Sequence, residues 1–507
     1  MENKNIRTLI FCLAILATAV GCRKFDVAGV KLDTYSPDIA LPLVNTEVTM
    51  RDLLDSLQDS RLVAANDGAL TLVYDGQNYR LGVDTIFQVL PDINPFPMND
   101  SVFKFPYTLP GGTRVDFIDL RKGFVKIAAI IPFPGGGRIE LKIPELINPV
   151  TNAIFSQTII APGFTYFDSF SVAGWRLVPQ ADTLHFKHKL FKISDGTQYL
   201  PYGTVRIGFS ELEHKYAEGF LGTGTYPVPR DTVAIDVFNF VQNGSVFFDD
   251  PKLRIHIENS FGIPVTAKFS ALNAILTNGT VIPLNSPTLI AGIPLNYPTL
   301  AERGQRKTTD FVVDASNSDI ELIIGQPVKE FEYWIEPILN PTGDTTIVSF
   351  LTDSSEFVVR AELELPLYGR SSGVTVLDTF DLDFGQLDKV DYANFKIVSD
   401  NGFPLGADLQ VYFLETNGTL VDSLLATDQT VLRAAAIGSS GRVLSMAQKI
   451  TLSSLPAARL EAVRLRARRG VVRSTFYTTG TGSQSVRLYE DYKAKIRVGV
   501  VAGVRIE

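Results

Sequence analysis

The sequence predicts an all-β protein: multiple antiparallel β-sandwich domains in tandem, with one short N-terminal helix. From Arg61 onward most segments alternate apolar and polar residues with period two and are rich in Val, Ile, Phe and Tyr, as in residues 70–74, 253–257 and 495–498. Such alternation buries one face of a strand and leaves the other in water. Asp-Gly or Asn-Gly pairs begin at Asp67, Asp75, Asp195, Asn243, Asn278, Asn401 and Asn417, and their tolerance of positive φ predicts tight primed turns between paired strands. No succession of period-3.6 helices alternates with these strands, which argues against a parallel βαβ sheet.

The chain begins with a different signal. Lys4 and Arg7 precede an apolar stretch from Leu9 to Val20, and Ala19-Val20-Gly21 closes it with small side chains, the layout of an export signal. The stretch is shorter than the roughly 20 residues that a bilayer core requires, so residues 1–21 are expected to be a signal peptide that does not remain as a span. Cys22 follows at once, and Ala19-Val20-Gly21-Cys22 resembles the bacterial lipobox, which implies that Cys22 is acylated with palmitate-type chains. Arg23, rather than Asp, follows it. By that resemblance the mature protein is anchored in the outer membrane, on the periplasmic face rather than the cell surface. Cys12 leaves with the signal, so an acylated Cys22 leaves no thiol for a disulfide, a metal or a nucleophile.

Residues 22–48 contain prolines and read as a tether. Next comes the helix: Thr49 with Asp52 has the form of a capping box, and Met50, Leu53, Leu54 and Leu57 share one face. Residues 49–244 form an N-terminal β region of one or two domains. An internal repeat organises the remainder. Gly262-Ile263-Pro264-Val265-Thr266-Ala267 leads to Thr277-Asn278-Gly279-Thr280-Val281, and Gly402-Phe403-Pro404-Leu405-Gly406-Ala407 leads to Thr416-Asn417-Gly418-Thr419-Leu420. The repeat predicts two related sandwiches, 245–370 and 371–507, the second with basic C-terminal strands.

The segment Ser36-Pro37-Asp38-Ile39-Ala40-Leu41-Pro42-Leu43-Val44, the Asp250-Pro251-Lys252 strand with Asn259 to Pro264 after it, and the closing Tyr489-Glu490-Asp491-Tyr492-Lys493 together resemble uncharacterised outer-membrane lipoproteins of Bacteroidota. The Asp-Pro strand followed by Asn and Gly-x-Pro is also similar, over a short stretch, to sandwich domains of late-embryogenesis-abundant, water-stress proteins. Neither resemblance implies a catalytic residue.

With 507 residues, 45% hydrophobic and 20% charged, the chain has ordinary globular usage and the length of three or four domains. A net charge of −8 argues against a nucleic-acid binder. Four His and two Cys leave little material for a zinc site. His185 and His188 fall on opposite faces of a strand, and His214 and His256 are isolated, so packing roles are expected for them. Asp381 and Asp383 would share a strand face near Asp378 and Asp388, a weak calcium candidate without the EF-hand spacing; otherwise no cofactor is expected. No phosphate-binding loop, dinucleotide fingerprint or nucleophile elbow occurs, and the chain is expected not to be an enzyme. The end in Glu507 and a redundant lipid anchor argue against a membrane barrel.

Charge is unevenly placed. Residues 433–507 carry 14 Lys plus Arg against 4 Asp plus Glu. Arg464, Arg466 and Arg468 alternate with Val463, Leu465 and Ala467, so on a strand they would form a stripe for an anionic ligand. Alternatively they pair with acidic neighbours. The expected function is a lipid-anchored envelope module that binds protein, glycan or envelope lipid without catalysis. A glycan-binding or glycan-active lipoprotein and a carrier of lipid or a small ligand are the alternatives.

Overall fold

The computed structural model describes residues 37–504, apart from 55–59, 77, 84–91, 107–112, 181–182, 201–202, 227–228, 239–242 and 383–388. Cys22 and the signal segment therefore lie outside the described residues, as do Leu57, Asp383 and Asp388.

In chain order, β1 (Asp38–Thr49) and helix α1 (Met50–Leu54) lead to β2 (Ser60–Ala64), β3 (Leu70–Asp75) and β4 (Tyr79–Gly82). Ten strands follow: β5 (Ile93–Pro97), β6 (Val102–Pro106), β7 (Arg114–Ile130), β8 (Gly137–Ile147), β9 (Ile154–Ala161), β10 (Thr165–Ser171), β11 (Arg176–Leu177), β12 (Thr183–Lys192), β13 (Gln198–Tyr199) and β14 (Val205–Phe220). Next are β15 (Gly224–Thr225), β16 (Asp231–Ala234), β17 (Asn243–Phe248), β18 (Lys252–Asn259), β19 (Val265–Leu276) and β20 (Val281–Pro283). Helix α2 (Pro287–Ala291), β21 (Ile293–Leu295), β22 (Lys307–Val313), helix α3 (Ile320–Ile324), β23 (Val328–Leu339), β24 (Ser349–Thr352) and β25 (Glu356–Pro366) continue the chain. It closes with β26 (Tyr368–Asp381), β27 (Val390–Asn401), β28 (Leu405–Leu414), β29 (Leu420–Ser423), β30 (Gln429–Leu432), β31 (Ala447–Leu455), helix α4 (Ala457–Arg466), β32 (Arg469–Thr478), β33 (Val486–Arg487) and β34 (Lys493–Val504).

Among the described residues every strand pairing is antiparallel, and the sheets assemble into three sandwiches. The first packs β5-β14-β7-β10 against β6-β12-β8-β9, with β11 bridging β7 and β8. Numbered by their own succession, these eight strands run 1-8-3-6 in one sheet and 2-7-4-5 in the other, which is the double Greek key of a jelly roll. Its core is aromatic: the Phe186 ring lies 5.6 Å from Phe96 and 5.5 Å from Phe209.

The central and C-terminal sandwiches are copies of one plan, and the repeat read from two hairpins extends through both. In each, a strand (β18 or β27) crosses at a corner to the opposite sheet (β19 or β28), and a third strand (β22 or β31) returns beside the first. A helix (α3 or α4) then precedes the partner of the second strand (β23 or β32), and a final strand (β25 or β34) pairs with the first. The corner is the same in both copies. Asn259, fully buried, accepts the Phe261 N–H at 2.8 Å and donates to Asn296 O at 3.2 Å. Asn401, equally buried, accepts the Phe403 N–H at 3.0 Å and donates to Leu405 O at 2.7 Å and Arg433 O at 2.8 Å. A single amide thus supplies the backbone partners that a chain leaving one sheet would lose.

Neither copy is continuous in sequence. The central sandwich takes β3 and β4 beside β25, and β15 and β16 beside β23. The C-terminal sandwich takes β1 beside β34, and β17 beside β26. The jelly roll is therefore inserted into the central sandwich, whose strands lie between β1 and β26 of the C-terminal one and are interrupted once, by β17. Two expected boundaries change: residues 38–48 are strand rather than tether, and the expected sandwiches 245–370 and 371–507 each recruit strands from upstream. Alternating sequence shows that a strand buries one face and is silent on its partner.

Two smaller corrections concern turns and helices. The Thr49–Asp52 capping box forms as expected, with Thr49 N and Oγ1 donating to Asp52 Oδ2 at 2.9 and 2.7 Å. However, α2, α3 and α4 add helices that the strand-dominated pattern did not predict. The hairpin turns at Gly279 and Gly418 are type I turns closed by a glycine at φ 84° and 87°, with Asn278 and Asn417 accepting the following Thr N–H. Gly76 and Gly402 take no positive φ.

Candidate anion-binding face

The Arg464, Arg466 and Arg468 stripe does not form, because these residues lie on and just after helix α4 rather than on a strand. Pro456 precedes a run of good helix formers, and Leu460, Val463 and Ala467 are buried at helical spacing. The apparent period of two was the outer half of a period-3.6 pattern. Arg464 pairs with Glu461 at 2.8 Å and Arg466 with Glu415 at 2.7 Å. Arg468 donates to the carbonyls of Ala467 and Leu465 at 2.7 and 3.0 Å, closing the helix C-terminus. Asp381 ends β26 opposite Arg469 in register. Among the described residues no three His, Cys, Asp or Glu side chains gather into a metal-holding group.

On the outer face of β25-β18-β22 in the central sandwich, arginines are matched by carboxylates. Arg254 grips Glu364 through two hydrogen bonds of 2.6 and 3.0 Å. Arg306 and Arg360 both reach Glu258, at 3.1 and 3.2 Å, and Arg80 reaches Glu356 at 3.2 Å. Arg306, with Arg360 and His256 adding, holds the Glu258 carboxyl below the usual carboxylate range. His256 Nδ1 lies 2.6 Å from Asp310 on the same face, so this histidine belongs to an ion-pair ladder.

The jelly roll is built otherwise. On the outer face of β6-β12-β8-β9, alternation presents Lys104 from β6, Lys187, Lys189 and Phe191 from β12, Arg138, Glu140 and Lys142 from β8, and Ser156, Thr158 and Ile160 from β9. Five cations thus surround one outward carboxylate, and Glu140 turns to Arg138 at 3.6 Å. Lys142 and Lys187 are direct cross-strand partners, a like-charge juxtaposition that costs stability in an antiparallel pair. Among the described residues Lys104, Lys142, Lys187 and Lys189 have no carboxylate at ion-pair distance. Ser156 stands opposite Lys142 on the other side, so a row of hydroxyls borders the cations. At the loop end Arg138 stacks over the Phe191 ring, 4.4 Å from its centroid.

The chain's relatives are distant. No family model matches the sequence, and no curated protein matches it. Among solved structures it is similar to a candidate secreted protein from Parabacteroides distasonis, at 10% identity and a TM-score of 0.29, covering 92% of this chain and 99% of that one. It is also similar to the VP2 subviral particle of infectious bursal disease virus, at 9% identity and a TM-score of 0.18, with 79% and 75% covered. A third likeness is the CBM22-1-CBM22-2 tandem of Xyn10C from Paenibacillus barcinonensis, at 7% identity and a TM-score of 0.14, with 67% and 95% covered. With TM-scores this low, the fold rests on the strand pairing described above.

The histidines border or underlie the lysine face. His185 packs beside Lys104, its Nδ1 2.7 Å from the buried Glu145 carboxylate. His188, one strand step from Lys187, points into the core, where burial pushes its pKa down from 6.5 to about 4, opposed by Asp100. A histidine whose folded pKa is depressed binds fewer protons than in the unfolded chain, so stability is lost as pH falls from about 6.5 towards 4 and is constant above. The shift corresponds to about 3 kcal/mol. Unfolding free energies from urea titrations at pH 7 and pH 5 are expected to differ by about 2 kcal/mol in the wild type on account of this group and by correspondingly less in His188→Leu; the same difference in the two proteins would remove the assignment.

Between the two sheets of the central sandwich, Tyr79, Leu81, Ile257, Leu295, Ile335 and Phe357 line an apolar gap of only ≈ 10 Å³, about room for one water. It gives no support to a carrier role. No helix among the described residues is long and apolar enough to cross a membrane.

Proposed function

We propose that this chain is a lipid-anchored, non-catalytic protein of a bacterial outer membrane, facing the periplasm, that binds its partner through the jelly roll. Cys22 is the acylated residue, and the 15 residues between it and Asp38 tether the body. Since β1 belongs to the C-terminal sandwich, the anchor attaches there, and the jelly roll, inside two nested insertions, is the domain presented to a partner. The observation that carries the reading is the lysine face, where Lys142 opposes Lys187 and five cations share the single outward carboxylate of Glu140, while the β25-β18-β22 face of the central sandwich pairs its arginines with glutamates. Binding without chemistry agrees with the structural engagement of His185 and His256.

Metabolic labelling with a clickable palmitate analogue tests the anchor. The wild type is expected to be labelled and membrane-bound, and Cys22→Ala unlabelled and released; an unlabelled wild type would overturn the anchor. Release of new reducing ends from an anionic polysaccharide by the purified chain would overturn the non-catalytic assignment.

A further inference from the structure

We propose that the outer face of β6-β12-β8-β9 binds an anionic polysaccharide, one whose sugars carry carboxylate, sulfate or phosphate groups. The inference rests on the reading of the jelly roll as a binding domain and names its ligand class. Side chains two apart on one strand are separated by about 6.6–6.8 Å and those on neighbouring strands by about 5 Å. Lys187, with Lys142 directly opposite on β8 and Lys104 diagonal to it on β6, therefore forms with Lys189, which stands opposite Glu140, a flat cationic lattice rather than a pocket. A lattice of this kind suits a repeating polymer of fixed negative charges lying across strands.

Charge complementarity supplies the attraction. An anion seated between Lys142 and Lys187 relieves the repulsion of directly opposed ammonium groups, so part of its binding energy comes from a cost already present in the free protein. The neighbouring row favours sugar over a bare phosphate surface. Ser156 and Thr158 are exposed on β9 beside Lys142 and Glu140, where their hydroxyls can exchange hydrogen bonds with those of a sugar ring. Glu140, the one carboxylate among the described residues of the four strands' outer face, adds an acceptor for sugar hydroxyls. The loop end of the same sandwich exposes Ile130, Phe164, Phe167 and Leu200, and nothing in the structure shows what covers them.

The test uses the chain from residue 23 onward, which carries neither signal nor acyl chain, so its outcome is independent of the labelling experiment on Cys22. Binding is measured at several salt concentrations to polygalacturonate, to a neutral glucan, to vesicles rich in phosphatidylglycerol and to duplex DNA. Polygalacturonate is expected to be retained, with affinity falling as salt rises, while neutral glucan is not. Lys142→Glu with Lys187→Glu is expected to weaken retention at least tenfold, and Lys396→Glu, on the C-terminal sandwich, to leave it unchanged. Lys142→Glu alone turns a like-charge pair into an opposite one, so its melting temperature is expected to rise while binding falls, which separates loss of the site from loss of the fold. Equal retention by the double variant, no retention of polygalacturonate, or equal binding of vesicles or DNA would each overturn the assignment to a polysaccharide.

Discussion

Replacing Asn401 with Ala is expected to destabilise the C-terminal sandwich by about 3 kcal/mol or more, an effect large for one polar side chain. The residue is fully buried, and its amide satisfies two carbonyls and one N–H at the corner where β27 leaves its sheet and β28 enters the opposite one. Each buried group left unpaired costs about 1–3 kcal/mol, and the alanine methyl fills only part of the space. Asn401→Asp keeps the acceptor for Phe403 N–H but sets a carboxylate against the Leu405 and Arg433 carbonyls, so it offers no rescue. Asn259→Ala removes two bonds where Asn401→Ala removes three and is expected to cost about 2 kcal/mol in the central sandwich by the same rule. Denaturant unfolding followed by calorimetry measures both. Losses under about 0.5 kcal/mol, the size of an ordinary surface substitution, would show that the corners are held by something else.

Deleting residues 1–49 is expected to lower the melting temperature of the C-terminal sandwich by about 10 °C or more, on a scale of roughly 2–4 °C per kcal/mol for a unit of this size. The deleted strand pairs with β34 from Asp38 to Thr49. It inserts Val44 into a small core with Ile397, Leu425, Val431 and Val498. It also brings Glu47 to Lys493 at 3.1 Å, and Asp38 to the Tyr392 hydroxyl. Without it β34 becomes an open edge, so the truncated chain is also expected to self-associate. An unchanged melting profile would return residues 38–48 to the status of a tether. The result also bears on the proposed anchor, because a lipid on Cys22 would pull directly on whatever β1 holds.

The all-β class, the capping box at Thr49 and the repeat of Gly-x-Pro and Asn-Gly segments were legible locally, since alternation, a Thr with an acid three residues on, and turn residues are properties of neighbours in sequence; the buried Asn259 and Asn401 corners were not. The lysine face was half legible: Lys187 and Lys189, or Arg138 and Lys142, share a face by spacing alone. That Lys142 stands opposite Lys187 is a matter of register between strands more than forty residues apart, and counting charge along the chain drew attention instead to the arginine-rich end. There the pattern could be read with either period, and the burial of Leu460, Val463 and Ala467 decided for a helix.

The sequence by itself determined the all-β class, the apolar faces of most strands from Arg61 onward and the existence of two related sandwiches, because backbone sterics and the burial of alternate side chains act over a few residues. Only the tertiary structure decided that the first strand closes the last sandwich, that the jelly roll sits inside two nested insertions, and which charges meet an opposite partner. Those outcomes depend on pairing between distant strands, whose exposed backbone groups are chemically alike until packing selects among them.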